Sequence, residues 1–293
     1  MQLKGSMVAL VTPMSVTGEL DDAALERLIE WQIEAGTQGL VIAGTTGESP
    51  TLLRDEHEWL LKRVISQVAG RVPVVAGTGS NSTEQTLDVS RRAVAAGADA
   101  LLLVTPYYNR PPQYALIEHY RKVAAAVACP ILLYNVPSRT AVDLSTETVA
   151  ELSTVENIVG IKEASGRLER VSRLRRHCGP AFILLSGDDA TAADFMLAGG
   201  DGVVSVTANV VPERLRRLCD AARGGNATLA HTLDAELEAL NRALFLETNP
   251  IPVKWALNRM GRIGPGIRGP LAGLATLHQP ALEESLRVLG ALA

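Results

Sequence analysis

One lysine directly follows an apolar, strand-like run in the stretch NIVGIKEASG. Lys162 comes after Ile158–Ile161, and lysine is rarely buried unless it is paired or takes part in chemistry. Apolar surroundings disfavour the charged form of an amine, and a neutral amine can attack a ketone to form a Schiff base. An ion pair with Glu163 is the alternative, but adjacent strand residues point to opposite faces, which hinders that pairing. Lys162 is therefore the first candidate catalytic residue.

Other polar residues follow apolar runs in the same way. The motif GTTGES places Thr45 and Thr46 where a strand turns into a helix, and free backbone N–H groups there suit a carboxylate. Tyr134 ends the run before that of Lys162, and its phenol could pass protons to a condensing oxygen. The guanidinium of Arg139 could form two parallel hydrogen bonds to a second carboxylate. Together they predict a pocket for a small keto acid and a second acidic molecule, although a plain Gly-rich turn and a packing tyrosine remain alternatives.

The elements that would position these residues repeat eight times. Eight nearly continuous Val/Ile/Leu-rich runs start about 20 to 33 residues apart, with amphipathic segments between them. This spacing is that of one strand and one helix, and it predicts a (β/α)8 TIM barrel. A doubly wound sheet is less favoured, because the first strand–helix turn lacks a glycine-rich dinucleotide fingerprint. The runs begin at Met7, Gly39, Val72, Ala100, Ile131, Ile158, Phe182 and Gly202.

The domain organisation follows from where the repeats end. The eighth unit finishes near Arg223, and the sequence RGGN then interrupts the pattern. We expect a catalytic barrel over residues 1–224 and a C-terminal helical extension over 225–293. In such a barrel the loops after the strands build one shared pocket, and here all of them are polar or Gly-rich.

Composition and charge narrow the class of protein. A formal charge of −4 disfavours nucleic acid and anionic membranes as partners. The three cysteines and five histidines show neither a disulfide framework nor a metal-ligand spacing, so no metal cofactor is expected. The N-terminal apolar run is too short for a signal-peptide core and no later run could span a bilayer, which predicts a cytoplasmic protein.

Six motifs in order carry a resemblance to a known family. They are GTTGES, TPYYNRP, YNVPSRT, GIKEAS, SGDDA and NPIPVKWA. Over essentially its whole length the chain resembles the dihydrodipicolinate synthase (4-hydroxy-tetrahydrodipicolinate synthase) family, which belongs to the pyruvate-dependent class I lyases and aldolases. The resemblance implies condensation of pyruvate with aspartate 4-semialdehyde in lysine biosynthesis, without a cofactor, by a homotetramer built from two tight dimers.

The same resemblance implies roles for individual residues. Lys162 would form the imine with pyruvate, and Thr45, Tyr134 and Tyr108 would form a proton relay, with Tyr108 reaching in from a neighbouring subunit. Thr46 would hold the pyruvate carboxylate, and Arg139 that of the semialdehyde. Gly187 and Val204 would line the pocket near the lysine.

Feedback inhibition by lysine is an open question at this point. The residues available for a lysine site at the dimer interface are Ser49, His57, Asn81 and Tyr107. However, Arg54 stands where lysine-inhibited relatives often have histidine, and Gln85 stands where they often have glutamate. An amide in place of a carboxylate weakens binding of a cationic amino acid.

Two other functions remain to be weighed. A related Schiff-base enzyme, such as an N-acetylneuraminate lyase-like or keto-sugar-acid aldolase, would use the same lysine and tyrosine on a longer substrate. Arg139 and the pair Tyr107–Tyr108 favour the semialdehyde condensation. A catalytically silent barrel is the other alternative, but it predicts decay of the reactive residues, and all of them are present.

Overall fold

The computed structural model describes residues 2–292 and shows a closed barrel of eight parallel strands in sequential order. This confirms the predicted (β/α)8 fold. The strands are β1 Gly5–Ala9, β2 Gly39–Ile42, β3 Val74–Gly77, β4 Ala100–Val104, β5 Ile131–Asn135, β6 Ile158–Glu163, β7 Ile183–Ser186 and β8 Gly202–Ser205.

Helices follow every strand and continue beyond the barrel. Those of the barrel are α1 Asp22–Glu34, α2 Arg54–Val68, α3 Thr83–Ala96, α4 Gln113–Ala126, α5 Pro137–Thr140, α6 Thr146–Leu152, α7 Glu169–Cys178, α8 Ala192–Leu197 and α9 Pro212–Arg223. After them come α10 Ala227–Ala243, α11 Ile251–Arg259 and α12 Gln279–Val288. Short 3₁₀ turns lie at Ser49–Thr51, Asp189–Thr191, Thr207–Asn209 and Thr276–His278.

The helix ends show how the sequence sets these boundaries. Asp21 caps α1 by accepting from the N–H of Ala24, and Gly36, just beyond its end, has φ +82°. Asn226 caps α10 in the same manner, directly after the turn at Gly224 and Gly225. The predicted interruption at RGGN therefore separates α9 from α10.

Two hydrophobic clusters stabilise the fold. The smaller one fills the barrel interior and includes Met7, Val41, Leu102 and Leu185. The larger one lies between the strands and the surrounding helices, and it also contains apolar side chains of α10, α11 and α12. The division into residues 1–224 and 225–293 stays a prediction. Among residues 2–292 we find no helix with both the length and the apolar character needed to cross a membrane.

Candidate active site

Lys162 and Tyr134 lie side by side at the carboxyl ends of β6 and β5. They are direct partners in the parallel register, and Lys162 Nζ lies 4.2 Å from the centroid of the Tyr134 ring. Only 7% of Lys162 and 6% of Tyr134 are exposed. The predicted proximity of the two residues is therefore confirmed, while their catalytic roles stay a prediction.

Glu163 points away from Lys162 and forms its own buried network. Its carboxylate accepts from Arg170 Nε at 2.8 Å, from Ser165 N at 2.8 Å and from the side-chain amide of Asn135 at 3.2 Å. The alternation of side chains along the strand explains why Glu163 does not pair with its neighbour. Lys162 is thus left facing the barrel mouth without this carboxylate as a partner.

A cavity of about 170 Å³ opens at this end of the barrel. It brings together residues from, or directly after, every strand except β3, as the polar loops predicted. The predicted site residues along its wall are Thr45, Thr46, Tyr134, Arg139, Lys162 and Gly187. Because the cavity is small and has only one lysine in its wall, it suits a compact acid placed against that amine.

The turn after β2 forms the wall opposite the lysine. The Thr12 hydroxyl donates to the carbonyl of Gly47 at 2.7 Å, which joins this turn to the end of β1. Thr46 is buried, and its hydroxyl accepts from the side-chain amide of Asn249 at 3.0 Å. Thr45 is partly exposed toward the cavity. The backbone N–H groups here can receive a carboxylate.

Arg139 lies on α5, a single turn that Pro137 begins. Its guanidinium donates to the backbone carbonyl of Asn249 at 3.2 Å and also borders a wider depression of about 580 Å³ outside the cavity. The Arg139 guanidinium, at the entrance of the cavity, can form hydrogen bonds to the carboxylate of a molecule that enters after the first substrate.

Several further residues of the wall were not identified from the sequence. Among them, Phe245 and Asn249 come from the C-terminal helical region, Ser138 from α5 and Asp188 from the loop after β7. Asn249 belongs to the motif NPIPVKWA, which does not indicate what its side chain contacts. A polar residue before a proline-rich helix start is the only local hint.

Gly187 and Val204 occupy different positions relative to the lysine. A Cβ atom on Gly187 would lie 2.8 Å from Lys162 Cε, so a glycine leaves room for the amine to move. Val204 belongs to the hydrophobic cluster of the barrel interior, which also contains Tyr134, and is 1% exposed. Val206, two residues further on, is the one that lines the cavity. The substrate-binding role of Val204 stays a prediction.

Tyr108 does not reach the cavity of its own chain. Its side chain is 89% exposed, and its backbone has φ +72°. Ser49, His57, Asn81 and Tyr107 are all partly buried near the same side of the barrel mouth. His57 Nε2 lies 2.9 Å from the carbonyl of Gly77, and burial lowers the pKa of this imidazole. A lysine site at these residues stays a prediction.

Within residues 2–292, no three His, Cys, Asp or Glu side chains are grouped so that they could hold a metal ion. Cys129, Cys178 and Cys219 are free thiols, and burial raises the pKa of each.

The fold and the cavity define a (β/α)8-barrel enzyme with its reactive groups at the carboxyl ends of the strands. The model of the dihydrodipicolinate synthetase family matches residues 2–289. The 4-hydroxy-tetrahydrodipicolinate synthase of Alcanivorax borkumensis is 53% identical over 290 residues, which cover 99% of both chains. The chain therefore belongs to the dihydrodipicolinate synthetase family.

Solved structures agree with this assignment. The chloride-inhibited dihydrodipicolinate synthase of Acinetobacter baumannii, complexed with pyruvate, superposes with a TM-score of 0.98 at 46% identity, covering 99% of this chain and 100% of that one. The enzyme of Cyanidioschyzon merolae with lysine bound gives a TM-score of 0.95 at 39% identity, and the match covers 99% of each chain.

Proposed function

We propose that the protein condenses pyruvate with L-aspartate 4-semialdehyde to give (4S)-4-hydroxy-2,3,4,5-tetrahydrodipicolinate, the first committed step of the diaminopimelate route to lysine. The observation that carries the proposal is the pairing of Lys162 with Tyr134 inside a cavity that also contains Thr45, Thr46 and Arg139. The relatives named above, and the pyruvate in the Acinetobacter structure, support this substrate.

The chemistry needs only an amine and a proton carrier. The Lys162 amine adds to the ketone carbon of pyruvate, and loss of water gives an imine, with Tyr134 supplying the proton that the departing oxygen takes. Transfer of a methyl proton to the relay then gives an enamine, which adds to the aldehyde carbon of the semialdehyde, and the relay returns a proton to the aldehyde oxygen to give the hydroxyl. The amino group of the semialdehyde attacks the imine carbon, closes the ring and releases Lys162.

The other residues hold the two acids. The backbone at Thr46 receives the pyruvate carboxylate, and Arg139 receives that of the semialdehyde. Thr45, Tyr134 and Tyr108 form the relay, with Tyr108 supplied by a second subunit of a homotetramer. We place this reaction in the cytoplasm, which the free thiols suit.

A mass measurement tests the proposal. Wild-type protein is treated with pyruvate and borohydride, with and without prior addition of the semialdehyde, beside Lys162→Met as the control. We expect one pyruvyl adduct on Lys162 that the semialdehyde depletes, and none on the variant. An adduct that the semialdehyde leaves unchanged would indicate a sugar-acid aldolase, and absence of any adduct would exclude the Schiff-base mechanism.

Inhibition by lysine forms a separate proposal. We place the candidate site at Ser49, His57, Asn81 and Tyr107, and we expect weak binding because the neighbouring side chains are already engaged. Arg54 pairs with Asp88 at 2.8 Å, and Gln85 Oε1 accepts from Ser80 at 2.8 Å. Initial rates measured against lysine concentration test it, and a flat curve up to millimolar lysine would remove the site.

A further inference from the structure

A buried ion pair joins the turn after β2 to helix α11. Lys254 Nζ contacts Glu48 Oε1, and the two side chains are 4% and 0% exposed. Lys254 also donates to the carbonyl of Thr12 at 3.0 Å, while Glu48 Oε2 accepts from the backbone N–H of Arg268 at 3.0 Å. The pair therefore connects the segment after β1, the turn after β2, helix α11 and the loop over residues 267–274, which contains Arg268.

The turn itself has an unfavourable backbone that needs support from outside. Ala43 and Glu48, on either side of Thr45 and Thr46, have φ +53° and +57°. Residues with a Cβ atom adopt this left-handed conformation at a cost, and they keep it only where the surroundings enforce it. Glu48 is thus both one of the strained residues and the residue whose side chain is anchored.

Stability alone is a poor explanation for this pair. Removing two charges from water carries a desolvation penalty, and well-packed apolar residues often replace a buried pair without loss of stability. Burial lowers the pKa of Lys254, and the Glu48 carboxylate opposes that change. Apolar packing is non-directional, whereas the hydrogen-bonded ion pair holds each of its two side chains at one defined position.

We propose that Glu48 and Lys254 are positioning residues, which fix the backbone at Thr45 and Thr46 in the geometry that receives the pyruvate carboxylate. The inference rests on the proposed function. Asn249 supports the same turn from the start of α11 through its hydrogen bond to Thr46. The C-terminal helical region therefore contributes to substrate binding without touching the reacting atoms.

The double variant Glu48→Gln/Lys254→Met tests the proposal because it removes both charges together. The fold is kept, but the turn loses its anchor, so we expect KM for pyruvate to rise roughly 10- to 100-fold. Saturating pyruvate still gives the borohydride adduct, because Lys162 is unchanged. Leu218→Ala, in the core on α9, controls for a general loss of stability. It should lower Tm but keep the wild-type KM for pyruvate.

The variant Glu48→Asp provides a second test that keeps the charge balance. Its shorter side chain must pull the turn to reach Lys254, so KM for pyruvate should rise several-fold while Tm changes little. A wild-type KM in both variants, whatever their Tm, would overturn the positioning role. Wild-type protein that forms no pyruvate adduct would instead overturn the proposed function, so the two failures are distinguishable.

Discussion

The Lys162 amine lies against the face of the Tyr134 ring, 4.2 Å from its centroid, and the two residues are partners across β6 and β5. This arrangement separates two contributions of the tyrosine. The ring packs against the end of the Lys162 side chain and holds it at the cavity wall. The phenol oxygen is available for proton transfer to the oxygen that leaves as the imine forms.

Tyr134→Phe removes the phenol and keeps the ring. We expect kcat to fall roughly 10²- to 10⁴-fold, because a positioned proton carrier is lost, while the protein folds and the amine stays packed. Steady-state kinetics and Tm measure the two effects. Tyr120→Phe is the matched control, since Tyr120 is fully buried in α4 and does not line the cavity. Equal losses of kcat in both variants would contradict the proposed role.

Arg139→Ala should impair the second substrate rather than the first. The guanidinium borders the cavity from α5, so its loss should raise KM for the semialdehyde roughly 10- to 100-fold, the effect of removing a charge-assisted hydrogen bond. The yield of reduced pyruvate adduct should stay at the wild-type level. Arg287→Ala on α12 controls for loss of a surface arginine. A lower adduct yield in Arg139→Ala would show that this residue serves pyruvate instead.

A pH-dependent loss of stability is expected from His119 in α4. Its side chain is buried, and its Nδ1 lies 2.9 Å from Thr83 Oγ1. Its Nε2 has no hydrogen-bond partner among residues 2–292, and burial lowers its pKa to about 4. Between its ordinary pKa of about 6.5 and this value, the unfolded chain binds a proton that the folded chain does not. Stability must therefore fall as the pH decreases through that range.

The size of this effect can be measured against a variant that does not titrate. From pH 7 to pH 5, His119 should remove about 2 kcal/mol from the free energy of unfolding. His119→Asn keeps an acceptor for Thr83 and loses the titration. Denaturant unfolding at both pH values should show a larger decrease for the wild type, and parallel decreases would refute the assignment.

The barrel could be predicted from the sequence because each of its strands is recognisable from a short contiguous run of residues. Each strand is a continuous apolar run covered on both faces, and parallel order then places the ends of β5 and β6 together. This is why Tyr134 and Lys162 could be paired in advance. Asn249 could not be placed, because its partner Thr46 lies 203 positions away and the contact depends on how α11 returns across the barrel mouth.

The buried ion pair between Glu48 and Lys254 could not be predicted from the sequence either. In the sequence, Glu48 belongs to the motif GTTGES and Lys254 to the motif NPIPVKWA, and neither motif indicates that the two residues meet. Their partnership spans 206 positions and leaves no periodic pattern in the sequence. Whether a charged side chain is buried can be determined only once the neighbouring strands, helices and loops have been placed around it.

Tyr108 leads to the last prediction, because it is 89% exposed and lies outside the cavity of its own chain. If a neighbouring subunit supplies this phenol, Tyr108→Phe and Lys162→Met should each be nearly inactive and should complement each other when mixed. In a mixed dimer, one of the two sites combines the intact lysine of one chain with the intact tyrosine of the other.

Refolding an equimolar mixture of the two variants should therefore restore about a quarter of wild-type activity, since half of the symmetric dimers formed at random are mixed and one site in each is complete. Each variant refolded alone provides the control. Size-exclusion chromatography of the mixture checks that dimers have formed. No recovery in a sample that contains mixed dimers would mean that Tyr108 acts within its own chain, because each chain would then have a defect that its partner cannot repair. A Tyr108→Phe variant that is active alone would show that Tyr108 takes no part in the relay.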